Sequence, residues 1–378
     1  MYAFNFNSVA SALVEDGVTA RLGGVLSARF SAKRPLIVTD KGLMALGLIN
    51  PVLASLGKVD LPYAVYDGVE ADPSEAVVEA ALAAAHIHRA DIIVGFGGGS
   101  SMDVAKLVAV LMQSKQRLPD IYGIDQVEGG RLPLVLVPTT AGTGSEVTPI
   151  SVVTTGATRK MGVVDNALYA DLAILDAELT LGLPRHITAA TGIDAMVHAI
   201  EAYTSRHKKN PVSDALARQA LLMLGGSIVQ ACNNPRDMGA RREMLVGAML
   251  AGKAFANAPV GAVHGLAYPL GGHFHIPHGL SNSLVLPHVL AFNAETAPEP
   301  YEDLARLMGQ GETAASFIDW LISIADAVGI ERRLRDMGIG RSDIPMLAED
   351  AMLQTRLLVN NPRDVSEEDA LHIYEAAW

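Results

Sequence analysis

The amino-acid sequence predicts an α/β domain followed by an all-helical domain. The chain has 378 residues, which is more than one hydrophobic core usually organises. Up to about residue 183, short apolar runs alternate with helical stretches, and this predicts a mostly parallel sheet covered by helices on both faces. After Pro184 the strand-length runs stop and only helical periodicity continues. We therefore predict one domain over residues 1–183 and a second over residues 184–378.

The individual elements follow from the length of each run and from the turn residues that bound it. Apolar runs of strand length occur at residues 36–38, 64–66, 92–94, 134–137, 150–153, 161–164 and 172–175. Between them, residues 75–85 and 102–112 have helical spacing. In the second half, the predicted helices are 188–203, 212–232, 236–257 and 314–328.

The composition excludes several classes of protein. Hydrophobic residues make up 50% of the chain and charged residues 19%, so a large core can form without disulfides. The single cysteine, Cys232, excludes an intrachain disulfide and favours a reducing, cytoplasmic location. The net charge of -12 has the wrong sign for a nucleic-acid binder. No signal-peptide pattern and no apolar run of about 18 residues is found, so we expect no membrane span.

A glycine-rich loop follows one of the predicted strands. Residues 91–103 read DIIVGFGGGSSMD, which predicts a strand, a tight turn and a helix start. Consecutive glycines let backbone N–H groups approach a diphosphate, and the helix N-terminus adds partial positive charge. Ser100 stands where the usual dinucleotide-binding pattern has its last glycine, so the loop is not an ordinary Rossmann motif. The alternative is a tight strand–helix turn without a ligand.

Two further features fall at predicted strand ends. Residues 138–146, PTTAGTGSE, form a hydroxyl-rich loop after another strand, at the sheet edge where open α/β sheets bind ligands. Asp40 ends the strand at 36–38 and is suited to accept hydrogen bonds from ribose hydroxyls and to repel a 2′-phosphate. The alternatives are a self-capping turn for the loop and a helix N-cap for Asp40.

Two segments of the second half contain candidate metal ligands. Asp194 and His198 are four residues apart on a predicted helix that begins near Thr191, so both project from one face. An acid in the first helical turn and a hydrogen-bonded core histidine are the alternatives. The segment 260–279 then holds four histidines in apolar surroundings, where unligated imidazoles are costly to bury. One carboxylate with imidazoles suits Fe²⁺ or Zn²⁺, but spacing alone does not select which histidines bind.

These motifs, in this order, resemble the iron-containing alcohol dehydrogenase family. They are GGGSSMD at 97–103, PTTAGTGSE at 138–146, GIDAMVHAIE at 192–201, HGLA at 264–267 and PHG at 277–279. The similarity runs from about Asp40 to Asn293 and therefore covers most of the chain. It implies a dehydroquinate-synthase-like fold, in which an α/β nucleotide-binding domain precedes an all-helical metal-binding domain and a cleft between them holds cofactor and metal.

The resemblance also selects site residues. It implies that a divalent metal, Fe²⁺ before Zn²⁺, is bound by the four side chains Asp194, His198, His264 and His278. It implies NAD in preference to NADP, with Asp40 at the ribose. The further cofactor-binding residues that it implies are Gly97, Gly98, Gly99, Ser100, Asp103, Thr139, Thr140, Thr143, Ser145 and Lys160.

The sequence departs from the family pattern at one position near the metal. Many relatives carry a histidine four residues after the third ligand, but here that residue is Tyr268. His273 is a candidate substitute in a proton path, and His275 is a second. The route of the proton therefore stays open.

The function that the resemblance implies is hydride transfer between NAD(H) and a small alcohol, aldehyde or ketone. It also implies a homodimer or larger homo-oligomer. The alternatives on the same fold are a maleylacetate-reductase-like or glycerol-dehydrogenase-like enzyme. A non-catalytic module that binds NAD or metal is the alternative from another class.

Overall fold

The structure is a computed structural model that describes residues 3–156 and 159–378. It divides into two compact units. The α/β unit comprises Asn7–Thr140 and Ser145–Leu181, and the helical unit comprises Gly182–Trp378 with the short segments 3–6 and Ala141–Gly144.

The α/β unit is built on a parallel sheet. The strands of the described residues are β1 (Ala12–Val14), β2 (Pro35–Val38), β3 (Ala64–Tyr66), β4 (Ile92–Gly97), β5 (Gly123–Ile124), β6 (Leu134–Pro138), β7 (Ile150–Thr155), β8 (Arg159–Val164) and β9 (Leu172–Leu175). The main sheet has the order β1-β9-β6-β4-β2-β3, and each neighbouring pair in it is parallel. Consecutive parallel strands require crossover connections, which the helices between them supply.

The helices of the α/β unit cover both faces of this sheet. They are α1 (Leu22–Phe30), α2 (Lys41–Ala45), α3 (Asn50–Lys58), α4 (Glu75–His88) and α5 (Gly99–Leu111). On one face, Val94 and Phe96 of β4 join a buried cluster with Leu26 of α1 and Leu56 of α3. On the other face, α5 lies so close to β4 that a Cβ on Gly95 would be 2.8 Å from the Cβ of Ala105. The central strands of this sheet, β2, β4, β6 and β9, are therefore buried on both sides.

Two of the predicted strands lie outside the main sheet. β7 and β8 pair antiparallel and form a small sheet in the order β5-β8-β7. Their burial alternates or is partial, in contrast to the four central strands of the main sheet, β9, β6, β4 and β2, which are buried throughout. The sequence did not predict β1 or β5, which have only three and two residues.

The second half is helical, and the predicted fold class is confirmed. Its helices are α6 (Arg185–Thr204), α7 (Pro211–Asn233), α8 (Met238–Asn257), α9 (Ala262–Phe274), α10 (His278–Ala294), α11 (Glu299–Leu307), α12 (Ala314–Val328), α13 (Ile344–Ala351), α14 (Thr355–Leu358) and α15 (Glu367–Ala377). The helices α6, α7 and α8 pack against one another and form the centre of this unit, and α10 packs against α6 and α9.

The predicted start of the ligand-bearing helix near Thr191 is wrong. Helix α6 begins at Arg185, and the Thr191 hydroxyl donates back to the carbonyl of Ile187 inside the helix. Asp194 therefore lies in the third turn, so the alternative of an acid that compensates the dipole of the first turn does not apply.

Helix α7 is long and apolar enough to cross a membrane by length and composition, and so is the bent pair of α8 and α9. Buried core helices pass the same test, and α7 packs between α6 and α8. These helices are therefore weak evidence for a membrane span.

Candidate functional site

Four side chains of the helical unit converge on one point. The ligand atoms of Asp194, His198, His264 and His278 all lie within 4.8 Å of one another. The Nε2 atoms of His198 and His264 are 3.1 Å apart, and the Nε2 of His278 is 3.5 Å from Oδ1 of Asp194. Donors that are 2.0–2.2 Å from a common cation are about 3 to 4 Å from each other. The spacing therefore suits a single first-row divalent metal.

Three helices bring these donors together. Asp194 and His198 are one turn apart on α6, His264 lies in the first turn of α9, and His278 is the first residue of α10. The approach of α10 to α6 depends on Gly279, because a Cβ there would come within 2.2 Å of the carbonyl oxygen of Ala190. His278 and Asp194 are neighbours because this contact is so close.

Burial sets the protonation of the cluster. Asp194, His198 and His264 are almost fully buried, whereas 42% of the His278 side chain is exposed. Burial lowers the pKa of His198 to about 3, against the opposing effect of the Asp194 charge, so its imidazole is neutral near pH 7. Burial alone would raise the pKa of Asp194, but the three imidazoles and a hydrogen bond from Asn282 outweigh it and lower that pKa. One anion and neutral nitrogen donors are the forms that bind a metal.

Asn282 lies in the middle of the cluster. Its Nδ2 donates to Oδ1 of Asp194 at 2.7 Å and is 3.2 Å from Nε2 of His264. Its Oδ1 is buried and has no hydrogen-bond partner. An unsatisfied buried amide oxygen beside four donors is a feature of a site that is completed by a further polar group or ion.

Glu201 contacts His264 on the ring nitrogen that faces away from the cluster. One of its carboxylate oxygens is 2.6 Å from Nδ1 of His264, and the other accepts the backbone N–H of Val263 at 2.7 Å. Neither Glu201 nor Asn282 was assigned a role by the sequence analysis. A buried acid within the apolar run around Ile200 was the available signal for Glu201, because a carboxylate is seldom buried without a partner.

The other candidate residues near this segment have different surroundings. His273 is outside the four-donor cluster, and its Nε2 pairs with Asp350 of α13 at 3.0 Å. His275 ends α9 in a left-handed conformation. Tyr268 lies one turn after His264, and its ring centroid is 6.0 Å from that of His278, the exposed ligand.

At the edge of the main sheet, three candidate segments meet. Asp40 follows β2, Gly98 follows β4 and Thr139 follows β6, and these strands are neighbours in the sheet. The N–H of Thr139 donates to the carbonyl of Gly97 at 3.0 Å, which joins the two loops. Helix α5 begins directly after Gly98 without a capping side chain. The Asp40 carboxylate caps α2 by accepting the N–H of Leu43, so the N-cap role is also present.

The remaining predicted cofactor residues take part in contacts within the protein. Ser145 donates to Oδ1 of Asp103 at 2.7 Å and accepts from the buried ammonium of Lys106 at 2.7 Å. Lys160 pairs with Asp72 at 2.7 Å, on the small sheet. Thr143 belongs to the short segment that groups with the helical unit. The sequence did not single out Lys106, whose full burial appears only in three dimensions.

Comparison with known proteins gives a consistent result across the chain. A family model described as iron-containing alcohol dehydrogenase matches residues 10–177, and one for the C-terminal part of the Fe-containing alcohol dehydrogenase family matches residues 188–378. Long-chain-alcohol dehydrogenase 1 of Geobacillus thermodenitrificans is 40% identical over 360 residues, which cover 93% of this chain and 91% of the relative.

Solved structures agree with this result. A 1,3-propanediol oxidoreductase structure superposes with a TM-score of 0.96 at 35% identity and covers all of both chains. The NAD+ complex of sulfoacetaldehyde reductase from Bifidobacterium kashiwanohense has a TM-score of 0.90 at 25% identity and covers 100% of this chain and 99% of its own.

Proposed function

The chain belongs to the iron-containing alcohol dehydrogenase family and is a metal-dependent, NAD-linked oxidoreductase, and from this premise we propose that it interconverts a small alcohol and its aldehyde or ketone. In the alcohol-oxidising direction, the carbinol carbon gives a hydride to NAD⁺ and the hydroxyl gives a proton to solvent. The reverse reaction consumes NADH and a proton.

The observation that carries this proposal is the convergence of one carboxylate and three imidazoles in a buried pocket of the helical unit. We propose that Asp194, His198, His264 and His278 hold the divalent cation, with Fe²⁺ favoured and Zn²⁺ as the second candidate. When bound, the cation acts as a Lewis acid that polarises the substrate oxygen. The neutral state of His198 and the anionic state of Asp194 are what this chain contributes to metal binding.

We propose that NAD binds to the α/β unit at the edge where β2, β4 and β6 end. Backbone N–H groups of the glycine turn and the start of α5 favour a diphosphate, because the helix N-terminus has partial positive charge. The Asp40 carboxylate favours a free ribose hydroxyl over a 2′-phosphate, and hence NAD over NADP. Six of the proposed cofactor-binding residues end or follow these strands, namely Gly97, Gly98, Gly99, Ser100, Thr139 and Thr140. The proposal also includes Asp103, Thr143, Ser145 and Lys160.

The direct test is an assay at the NADH absorbance band with metal-stripped protein. The protein is reloaded with Fe²⁺ or Zn²⁺ and given NAD or NADP with alcohols and aldehydes of increasing chain length. We expect turnover with NAD that requires the cation, and loss of turnover in Asp194→Asn, which keeps the size but removes the anion. Full activity of metal-stripped protein with NAD would contradict the metal role.

The assay also separates the alternatives on the same fold. A glycerol-dehydrogenase-like enzyme is expected to prefer Zn²⁺ and a polyol. A maleylacetate-reductase-like enzyme is expected to work without metal, whereas the buried Asp194 and its three imidazoles favour a metal-dependent enzyme.

We further propose that the cofactor domain spans residues 1–183 and the metal domain residues 184–378, that the enzyme is cytoplasmic and that it is a homodimer or larger assembly. The lone cysteine, Cys232, is buried and supports a reducing compartment. Light scattering after size-exclusion chromatography measures the assembly directly.

A further inference from the structure

We propose that Glu201 is a positioning residue that fixes His264 in the metal-binding tautomer and sets the affinity of the site for its cation. The inference rests on the proposed function only in taking Asp194, His198, His264 and His278 as the ligands. Glu201 itself is not among the four donors, and it acts through His264.

The contacts of Glu201 determine which nitrogen of His264 carries the proton. Oε2 lies 2.6 Å from Nδ1 of His264, and both groups are buried. A carboxylate offers acceptors only, so Nδ1 is the nitrogen that donates. In the neutral ring the lone pair is then on Nε2, which is 3.1 Å from Nε2 of His198. The opposite tautomer would direct an N–H into the cluster and could not bind a metal.

The second oxygen of Glu201 fixes the backbone next to this ring. Helix α9 has glycine at its N-cap and no capping side chain of its own, so its first N–H groups need partners from elsewhere. Glu201 accepts the N–H of Val263 at 2.7 Å, and Oδ1 of Asn361 accepts that of Ala262 at 3.3 Å. Glu201 therefore holds the backbone at Val263 and the side chain at His264 from a single carboxylate.

Glu201 lies on the same helix as two of the proposed ligands. Glu201 lies three residues after His198 on α6, on the turn that follows the ligand pair. Helix α6 thus places two ligands directly and orients a third through Glu201, although α6 and α9 are distant in sequence. Carboxylates that accept the second ring N–H of a ligand histidine raise its basicity, and their loss typically costs 10–100-fold in metal affinity.

A purely structural role makes a different prediction. Asn361 shows that a neutral amide can cap α9, so capping alone does not need a buried carboxylate. A buried carboxylate carries a desolvation cost that charge-assisted hydrogen bonds must offset. The contact with a ligand imidazole is what distinguishes Glu201 from Asn361.

The test measures the binding of Co²⁺, a spectroscopic substitute for the cation, by competition with a chelator on full-length protein. In Glu201→Gln the side chain keeps its size, but one of the two oxygens becomes an NH₂ group. Because Val263 and His264 contact different oxygens of Glu201, one of these two donors then faces an amide donor in place of an acceptor. We expect the Kd for Co²⁺ to rise about 10–100-fold and the visible absorption bands of the bound Co²⁺ to change. Glu201→Asp keeps both acceptors, and we expect it to recover part of the affinity.

Asn361→Ala is the control, because it removes a cap from the same helix end, together with hydrogen bonds to Asn293 and Arg363, without touching a ligand. We expect it to lower the thermal midpoint and leave the Kd for Co²⁺ within about twofold of the unmodified protein. The proposal is overturned if Glu201→Gln binds Co²⁺ with unchanged affinity and spectrum, or if Asn361→Ala loses as much affinity. If Glu201→Gln does not fold, equal affinity of Glu201→Asp and Asn361→Ala overturns it instead.

The two proposals fail in different ways. Tight Co²⁺ binding without turnover of any alcohol or aldehyde would overturn the proposed function and leave the role of Glu201 standing. Turnover with an unchanged Kd in Glu201→Gln would overturn the role of Glu201 alone.

Discussion

Asp40 combines a structural and a proposed functional role in one carboxylate. It caps α2 through Oδ1 and stands at the carboxyl end of β2, beside the glycine turn that follows β4. Asp40→Ser keeps a capping oxygen and removes the charge. Repulsion between two charges about 4 Å apart is worth roughly 1 to 4 kcal/mol near a protein surface. We therefore expect the ratio of kcat/KM for NADP to that for NAD to rise about tenfold.

Asp60→Asn is the control for the Asp40 experiment. Asp60 is exposed, has a positive φ of 51° that asparagine tolerates, and carries the same charge. Its removal is expected to leave the cofactor preference unchanged. If Asp40→Ser and Asp60→Asn give the same preference, Asp40 does not contact the ribose.

Lys106 predicts a pH dependence of stability in the α/β unit. Its Nζ is buried and donates to Ser145 and to the carbonyl of Ile150. Burial lowers its pKa to about 8, against the opposing charges of Asp103 and Glu146. Between about pH 8 and the ordinary lysine pKa of 10.5, the unfolded chain binds this proton and the folded chain does not, so stability rises with pH. The full effect of this group is about 3 kcal/mol.

The measurement is the free energy of unfolding in denaturant from pH 7.5 to pH 10, as the difference between the unmodified protein and Lys106→Met. We expect the stability of the unmodified protein to rise relative to the variant across this range. Lys58→Met, at an exposed position in the same unit, is expected to show no such difference. If the difference in free energy of unfolding between the unmodified protein and Lys106→Met does not change with pH, Lys106 does not titrate in this range.

At the residue scale, the sequence identified the proposed ligands but not the residues that contact them. The motifs selected Asp194, His198, His264 and His278, which the structure brings within 4.8 Å, although spacing alone left several histidines open. Glu201 and Asn282 were not selected, because their contacts with His264 and Asp194 span 63 and 88 residues and exist only after α9 and α10 pack on α6.

At the element scale, Gly279 controls the distance between α6 and α10. A Cβ there would overlap the carbonyl oxygen of Ala190 and come within 3.3 Å of Cβ of Asp194. Gly279→Ala must therefore move α10, which carries His278, away from the helix that carries Asp194. Overpacking of this kind costs about 1–3 kcal/mol, and we expect the Kd for Zn²⁺ to rise as well. Denaturant unfolding of metal-free protein and a Zn²⁺ titration measure the two effects separately.

Gly226→Ala provides the comparison within the same unit. Gly226 lies inside α7, and apart from the adjacent backbone of its own helix no atom of the described residues is within 4 Å of the position that a Cβ would take. Alanine is expected to stabilise this helix by about 0.5–1 kcal/mol and to leave Zn²⁺ binding unchanged. Equal behaviour of the two variants would show that the close contact at Gly279 does not control the site.

The elements themselves were predictable where burial was uniform. The apolar runs at 36–38, 134–137 and 172–175 became strands with nearly the same bounds, because buried parallel strands have an unbroken hydrophobic pattern. Periodicity placed the start of α6 three residues late, at 188, and the apparent N-cap placed it six residues late, near Thr191, because the Thr191 hydroxyl bonds to the turn before it. β1 and β5 were missed because such short strands depend on their neighbours more than on their own residues.

At the scale of the whole molecule, the fold class was predictable from a change in periodicity. Alternation of strands and helices before residue 183 and helices alone afterwards are properties of long stretches, and they tolerate errors at single residues. Periodicity does not predict that the segment Ala141–Gly144, which lies within the first half of the chain, groups with the helical unit. Gly144 would place a Cβ within 2.6 Å of Cα of Gly252, so packing groups this short segment with helices that come much later in the chain.

The proposed assignment of the metal to the helical unit and of NAD to the α/β unit predicts where each ligand slows hydrogen exchange. The proposed metal ligands come from α6, α9 and α10, so local opening of any one of these helices must release the cation. A ligand at 100 times its Kd stabilises the bound state by about 2.7 kcal/mol, which slows exchange through such openings about a hundredfold. We expect Zn²⁺ to protect peptides from these helices, and NAD to protect those that follow β2, β4 and β6. Asp194→Asn should lose the first effect and keep the second, because Asp194 is not in the α/β unit. Protection by Zn²⁺ at the glycine turn and not in α9 would contradict the proposed assignment of metal to one unit and nucleotide to the other.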